Sequence, residues 1–246
     1  MYKILLFWLP LLAIFASWEL VLFQPTSILY WLGICLLSSA VFAWYISRGE
    51  TQVVRATIDR FSFAVLSVGV FWWLLWIDYK VIKYVFPVII FALLVYFVFD
   101  LRNSEGEVSP RMRLAIFFGG TFFWATISFG LITVLGWQLW HALGLFVISF
   151  ALLSYSATEL LTGASIQHTK AWLVLVLFSA EIFSVIVWLP FTETTLALIL
   201  TIISLFAYDM LKYFVQPELI RRKIIVKKIL VYSMFLIFIL ASTPWY

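Results

Sequence analysis

Charged residues are scarce in this 246-residue chain. Asp, Glu, Lys and Arg make up 11% of it, whereas hydrophobic residues make up 65% and aromatic residues 20%. A soluble domain is typically about one quarter charged and about half apolar. The sequence therefore has too few polar residues to cover a water-exposed surface, which excludes an ordinary soluble domain and indicates an integral membrane protein. Because the charged segments are short, we expect a single polytopic transmembrane domain over residues 1–246.

Cysteine, histidine and glycine are scarce as well. Cys35 is the single cysteine, so the chain cannot form an internal disulfide. One cysteine and two histidines leave few soft metal ligands, and we predict neither a metal nor another cofactor. The sequence contains no H-E-x-x-H zinc motif, no G-x-S-x-G elbow and no P-loop. These absences make an enzyme the less favoured class without excluding one.

Long apolar runs dominate what is present. A helix needs about 20 mostly apolar residues to cross a bilayer. Nine segments reach or nearly reach this length: 4–23, 27–46, 61–77, 82–99, 114–135, 137–160, 171–190, 193–213 and 226–245. We predict an all-α membrane bundle of nine helices, arranged as four hairpins plus one helix with short loops. The first run continues to Phe23 with no clear A-x-A cleavage site, so we expect it to be retained as a span.

Basic residues segregate sharply between the predicted loops. If the amino terminus is inside, Lys80 and Lys83 are the two outer basic residues, and the other 14 of the 16 are inner. One inner loop is predicted to run from Ser47 to Arg60. The positive-inside rule then places the amino terminus inside and the carboxyl terminus outside a membrane, which we expect to be a cytoplasmic (plasma) membrane.

The predicted outer rim is aromatic. Tryptophan and tyrosine favour the level of the lipid headgroups, so a membrane-interface belt explains this rim, and a stacking site for a ligand is the alternative. The belt would contain Trp18, Tyr30, Trp31, Trp72, Trp73, Trp76, Trp137, Trp140, Trp188, Trp245 and Tyr246.

Glu181 stands in the middle of an apolar run, L-F-S-A-E-I-F-S-V. It lies 11 residues after Lys170, which corresponds to about 16 Å along a helix and places it near the bilayer midplane. No Lys or Arg is predicted at that depth, so we expect a protonated acid that faces the bundle and hydrogen-bonds between helices, with Ser184 on the same face. A proton or cation site for transport and a catalytic acid are the alternatives.

Other acids and one histidine lie near the predicted membrane faces. Three helices end on an acid near the inner face: Asp100, Glu159 and Asp209. A possible outer polar cluster comprises Glu19, Asp78, His141 and Glu193, each from a different hairpin. Since their spacing gives no support for a metal site, we interpret them as scattered rim polarity.

The segment 216–228, Q-P-E-L-I-R-R-K-I-I-V-K-K, is the most basic part of the chain. Its cations are predicted to contact anionic lipid on the inner face, and its isoleucines to lie along the interface before the chain turns into the membrane. The cations are Arg221, Arg222, Lys223, Lys227 and Lys228. No aromatic interleaving accompanies them, so nucleic acid is not an expected partner.

Small residues recur at four-residue steps, as at Cys35, Ser39 and Ala43, which predicts close helix packing and allows a homo- or hetero-oligomer. Two function classes stay open. The first is a small transporter or channel-like protein, or a membrane subunit of a larger complex. The second is an intramembrane enzyme acting on a lipid or isoprenoid, with Glu181, Glu159, Glu19 or His141 as acid or base. A continuous cavity between two acids would favour transport or catalysis, and a tightly filled bundle would favour the subunit.

Overall fold

A computed structural model describes residues 2–46, 53–76, 80–103, 109–162, 166–215 and 222–243, and helices are the only regular secondary structure in these ranges. The helices are α1 (Tyr2–Phe23), α2 (Ile28–Ile46), α3 (Val53–Trp76), α4 (Lys80–Asn103), α5 (Pro110–Thr133), α6 (Leu139–Thr162), α7 (Ile166–Ile186), α8 (Glu193–Val215) and α9 (Arg222–Ser242). A 3-10 turn, Pro25–Ser27, joins α1 to α2. The prediction of an all-helical protein is confirmed for the described residues.

Five helices, α5 to α9, are long and apolar enough to cross a membrane. The described parts of the other four contain shorter apolar stretches: Trp8–Phe23, Ile28–Phe42, Phe61–Trp76 and Tyr84–Tyr96. Helices long and apolar enough to span a membrane are thus confirmed, whereas the count of nine spans stays a prediction.

Helix boundaries follow local capping chemistry. The Ser109 hydroxyl accepts a hydrogen bond from the Met112 N–H, with Pro110 at the first helical position of α5. The Thr192 hydroxyl caps α8 in the same way by accepting from the Thr195 N–H. After α5, Gly136 adopts a φ of 63° and the Trp137 N–H donates to the Leu131 carbonyl. This left-handed position favours glycine because it has no Cβ.

One predicted boundary is wrong. The polar loop expected to run from Ser47 to Arg60 ends before Val53, where α3 begins. Residues 53–60 contain no Pro or Gly that would break a helix, so they belong to α3. Their charged residues make them less apolar than the rest of that helix. From Arg222 onward, the segment predicted to lie along the inner interface is the first part of α9, and its position relative to a membrane stays a prediction.

Contacts divide the chain into two compact units, Met1–Ile116 and Phe117–Tyr246. In the first unit, α1 packs on α2, α3 and α4, and α2 packs on α3. Trp18 is fully buried, and its Nε1–H donates to the Ser67 carbonyl over 3.3 Å. Trp73 is buried as well, so the prediction that Trp18 and Trp73 belong to an outer belt is wrong. The predicted packing face of α2 is confirmed at Cys35 and Ser39, which are both fully buried.

In the second unit, α6 packs on α7 and α8, α7 packs on α8, and α8 packs on α9. Aromatic rings fill its centre. The Phe183 ring lies between Phe129 and Phe146, with ring centroids 4.3 Å and 4.9 Å away. Phe150 and Phe117 continue this aromatic column. Whether the two units form the single domain expected from composition stays a prediction.

Candidate functional site

The exposed side of α7 carries Glu181. The positions Leu177, Glu181 and Val185 follow one another at steps of four residues and are all exposed. Such steps place residues on one side of a helix. We call this side the Glu181 face. Leu177 and Val185, one turn before and after the acid, are 63% and 66% exposed.

This exposure corrects one expectation. Glu181 was predicted to point into the bundle, and it points away from the described core instead. The core side of α7 is occupied by the buried residues Leu175, Ser179, Phe183 and Ile186. Ser184 is half-buried, and its hydroxyl donates to the Ala180 carbonyl of its own helix at 2.9 Å. These four core residues, three of them apolar, occupy one side of α7, and Glu181 lies on the opposite side.

An acid in that position is costly if lipid covers it. A charged residue at the centre of a lipid-facing helix costs about 2.5–3.5 kcal/mol. Glu181 lies about 16 Å along α7 from Lys170, far from the basic end of the helix. If α7 crosses a membrane at this depth, a polar partner would stabilise the exposed Glu181 carboxyl.

Asp209, predicted as an inner-face acid, joins α8 to α9. Its carboxylate accepts a hydrogen bond from the Tyr232 hydroxyl at 2.8 Å and forms an ion pair with Lys228 at 2.8 Å. Nζ of Lys228 also lies 5.2 Å from the Tyr213 ring centroid. The prediction that Lys228 is a lipid contact is thus incomplete, because its charge is already matched by Asp209. These contacts connect α9 to α8, although no residue of α9 is buried.

The structure describes some of the other predicted inner-face residues and not others. Glu159 is half-buried near the end of α6. Asp100 lies in α4, but its side chain falls outside the described set, and Arg221 lies outside the described residues altogether. Arg222, Lys223 and Lys227 are exposed at the start of α9, in positions compatible with lipid contact.

The predicted outer cluster does not form a metal site among the described residues, where no group of three potential ligands exists. Asp78 lies outside the described ranges. Glu193 is the first residue of α8, and a carboxylate at this position interacts favourably with the helix dipole. His141 is exposed beside the Trp137 ring. Glu19 is half-buried within α1.

A buried ion pair in the first unit was missed by sequence analysis. The Arg113 Nη2 donates to the Asp59 carboxylate at 2.7 Å, and the two side chains are 1% and 9% exposed. This contact joins α3 to the first turn of α5. Arg113 had been counted only as one of the inner positive charges. The pairing could have been suspected because Asp59 and Arg113 occupy the same depth at the starts of two helices.

His168 forms a second polar contact that the sequence did not reveal. Its Nε2 lies 3.1 Å from the Thr158 hydroxyl and 3.2 Å from the Tyr155 carbonyl. Nε2 can donate to the Tyr155 carbonyl in one tautomer or accept from the Thr158 hydroxyl in the other. The Thr158 hydroxyl itself donates within α6, to Ser154. The cluster joins α6 to α7.

Comparisons with known proteins add no assignment: no family model, curated protein or solved structure matches the chain significantly.

Proposed function

We propose that this chain is a non-enzymatic membrane subunit of a larger complex and that the Glu181 face binds a transmembrane helix of a partner protein. The observation that carries the proposal is the exposure of Glu181 between Leu177 and Val185. A polar or basic side chain at the same depth on the partner helix would form a hydrogen bond with the Glu181 carboxyl. Polar contacts of this kind hold transmembrane helices together.

The filled interior of the second unit supports a structural role. The stacked rings of Phe129, Phe183 and Phe146 occupy its centre. Its buried polar groups join helices: Tyr208 donates to the Ala157 carbonyl, and Trp172 donates to the Ala151 carbonyl. These donors stabilise helix packing and are not arranged as an acid and a base around a substrate. Such packing fits a subunit better than a transporter or an intramembrane enzyme.

Charge placement supports the orientation that goes with this proposal. Consecutive helices of the second unit alternate in direction, as the contacts of His168 with Tyr155 and of Lys228 with Asp209 require. Its described basic residues therefore share one end: Lys170, Lys212, Arg222, Lys223, Lys227 and Lys228. Under the positive-inside rule this end is cytoplasmic, in keeping with nine spans, an inner amino terminus and a plasma-membrane location.

Two substitutions at one position test the proposal. Glu181→Leu removes the polar group, whereas Glu181→Gln keeps a hydrogen-bonding side chain of the same length. We expect the wild-type protein, extracted from its native membrane in a mild detergent, to migrate as a complex on native gels. Glu181→Leu should release the chain from that complex, Glu181→Gln should retain part of it, and Val185→Leu is the matched control.

Purified protein in liposomes provides the opposing measurement. If Glu181→Gln abolishes proton or cation flux and leaves thermal stability unchanged, Glu181 is a transport site and the subunit proposal is wrong. The proposal predicts no flux that depends on Glu181. It also predicts that Glu181→Leu leaves the isolated chain as stable as the wild type or more stable, because the substitution removes a polar group from an apolar surface.

A further inference from the structure

A groove between α7 and α8 opens at the basic end of the second unit. It has a volume of about 300 Å³, at the lower end of the range for ligand pockets. Ala171, Val174, Leu211 and Val215 provide apolar walls, and Gln167 and Lys170 lie at its polar end. Gln167 and Lys170 are one helical turn apart on α7, so both side chains reach the same opening.

The arrangement matches the two parts of a phospholipid. The apolar walls suit a hydrocarbon chain, and they continue from Lys170 toward the middle of α7 at Val174. The ammonium of Lys170 suits a phosphate, and the Gln167 amide supplies two further N–H donors. Basic openings between transmembrane helices on the cytoplasmic side are places where anionic headgroups bind.

We propose that this groove binds one anionic glycerophospholipid. Its phosphate contacts Lys170 and Gln167, and one acyl chain lies against Val174 and Leu211. The site is separate from the basic residues at the start of α9, which line a different part of the surface. The proposal does not depend on the partner expected at the Glu181 face, since it concerns the purified chain alone.

Lys212 provides a matched control. It is exposed on α8 next to Leu211, in the last turns of the helix, but it does not line the groove. Lys170→Gln and Lys212→Gln therefore remove the same charge at similar depths, one inside the site and one beside it. A third variant, Val174→Trp, fills the apolar part of the groove and leaves Lys170 in place. Val174 is exposed, so the larger side chain does not have to enter the core.

The experiment uses the purified full-length chain with phosphatidylglycerol that carries a photoreactive diazirine in one acyl chain. Peptides covering 167–174 and 211–215 are analysed for crosslinks by mass spectrometry. Unlabelled phosphatidylglycerol or phosphatidylcholine with the same acyl chains is added as competitor. The two competitors share the phosphate, but the choline cation cancels the net charge of the second. Melting temperatures identify any variant that does not fold.

We expect wild-type crosslinks in both peptides, displaced by phosphatidylglycerol at about fivefold lower concentration than by phosphatidylcholine. Lys170→Gln should abolish this preference, Lys212→Gln should keep it, and Val174→Trp should lower the crosslink yield. Equal competition by both lipids in the wild type would overturn the proposal, as would equal losses in the two lysine variants. Crosslinks confined to α9 would also contradict it. If Val174→Trp does not fold, the two lysine variants decide.

Discussion

Single residues of the same type have different roles in this protein. Lys228 is ion-paired to Asp209, whereas Lys223 and Lys227 on the same helix are exposed. Trp18 is buried with its indole N–H on a backbone carbonyl, whereas Trp188 is exposed near the end of α7. An indole suits a headgroup region and a buried carbonyl equally well, because it has an apolar body and one donor. Residue type alone therefore could not separate these positions.

The buried pair of Asp59 and Arg113 makes a prediction at this scale. Asp59→Asn removes the carboxylate charge that lies 2.7 Å from the buried Arg113 guanidinium. Loss of one partner of a buried ion pair typically costs about 3–5 kcal/mol, so the free energy of unfolding should fall by about that amount. Thermal or denaturant unfolding in mixed micelles measures it.

The double variant Asp59→Leu with Arg113→Leu removes both charges. It should lose less stability than Asp59→Asn alone, since the buried guanidinium is removed together with the carboxylate. Lys212→Gln, on an exposed side chain, is the control and should stay within about 0.5 kcal/mol of the wild type. A single variant as stable as this control would show that the pair does not hold α3 to α5.

At the scale of the helix, the sequence predicted where helices lie far better than which side of each one packs. Long apolar runs require helices because backbone groups in a bilayer must bond internally. The direction each side chain faces is harder to predict, since apolar residues surround every helix and the usual contrast between a polar and an apolar side is missing. Glu181 was expected inside because an acid in a membrane span usually faces the bundle, and it lies on the exposed side of α7.

Two glycines give a matched test of helix packing. A Cβ on Gly120 of α5 would lie 2.6 Å and 2.7 Å from the Leu153 Cδ atoms of α6, whereas one on Gly144 of α6 would meet nothing within 4 Å. Gly120→Ala should therefore lower the free energy of unfolding by about 1–3 kcal/mol through overpacking. Gly144→Ala should raise it by about 0.5–1 kcal/mol, because alanine favours a helix. Thermal unfolding that fails to separate the two variants would contradict this packing of α5 on α6.

For the whole molecule, the distribution of charge predicts the topology. Reporter domains fused after Gly49 and Gly106 should give an inside signal, and one fused after Tyr246 should give an outside signal. Alkaline phosphatase and green fluorescent protein make complementary reporters. An outside signal at Gly49 or an inside signal at Tyr246 would refute the count of nine spans together with the assigned orientation.

The membrane class and the helical architecture could be predicted from composition and apolar run length, whereas the candidate site could be predicted only in part. Glu181 was identified because an acid in an apolar run is conspicuous. The pair of Asp59 and Arg113 and the contacts of His168 depend on helices coming together, and residues 54 positions apart carry no local signal of their contact. A function that rests on a partner outside the chain leaves no motif inside it.

The central claim is that protein covers the Glu181 face in the native membrane, and site-specific photocrosslinking tests it most directly. A photoreactive amino acid replaces Leu177 on the Glu181 face or Phe238 on exposed α9, and adducts are separated into protein and lipid by mass spectrometry. We predict a discrete protein adduct from position 177 that disappears when Glu181→Leu is added. Lipid adducts alone at position 177, in the same pattern as at position 238, would contradict the account.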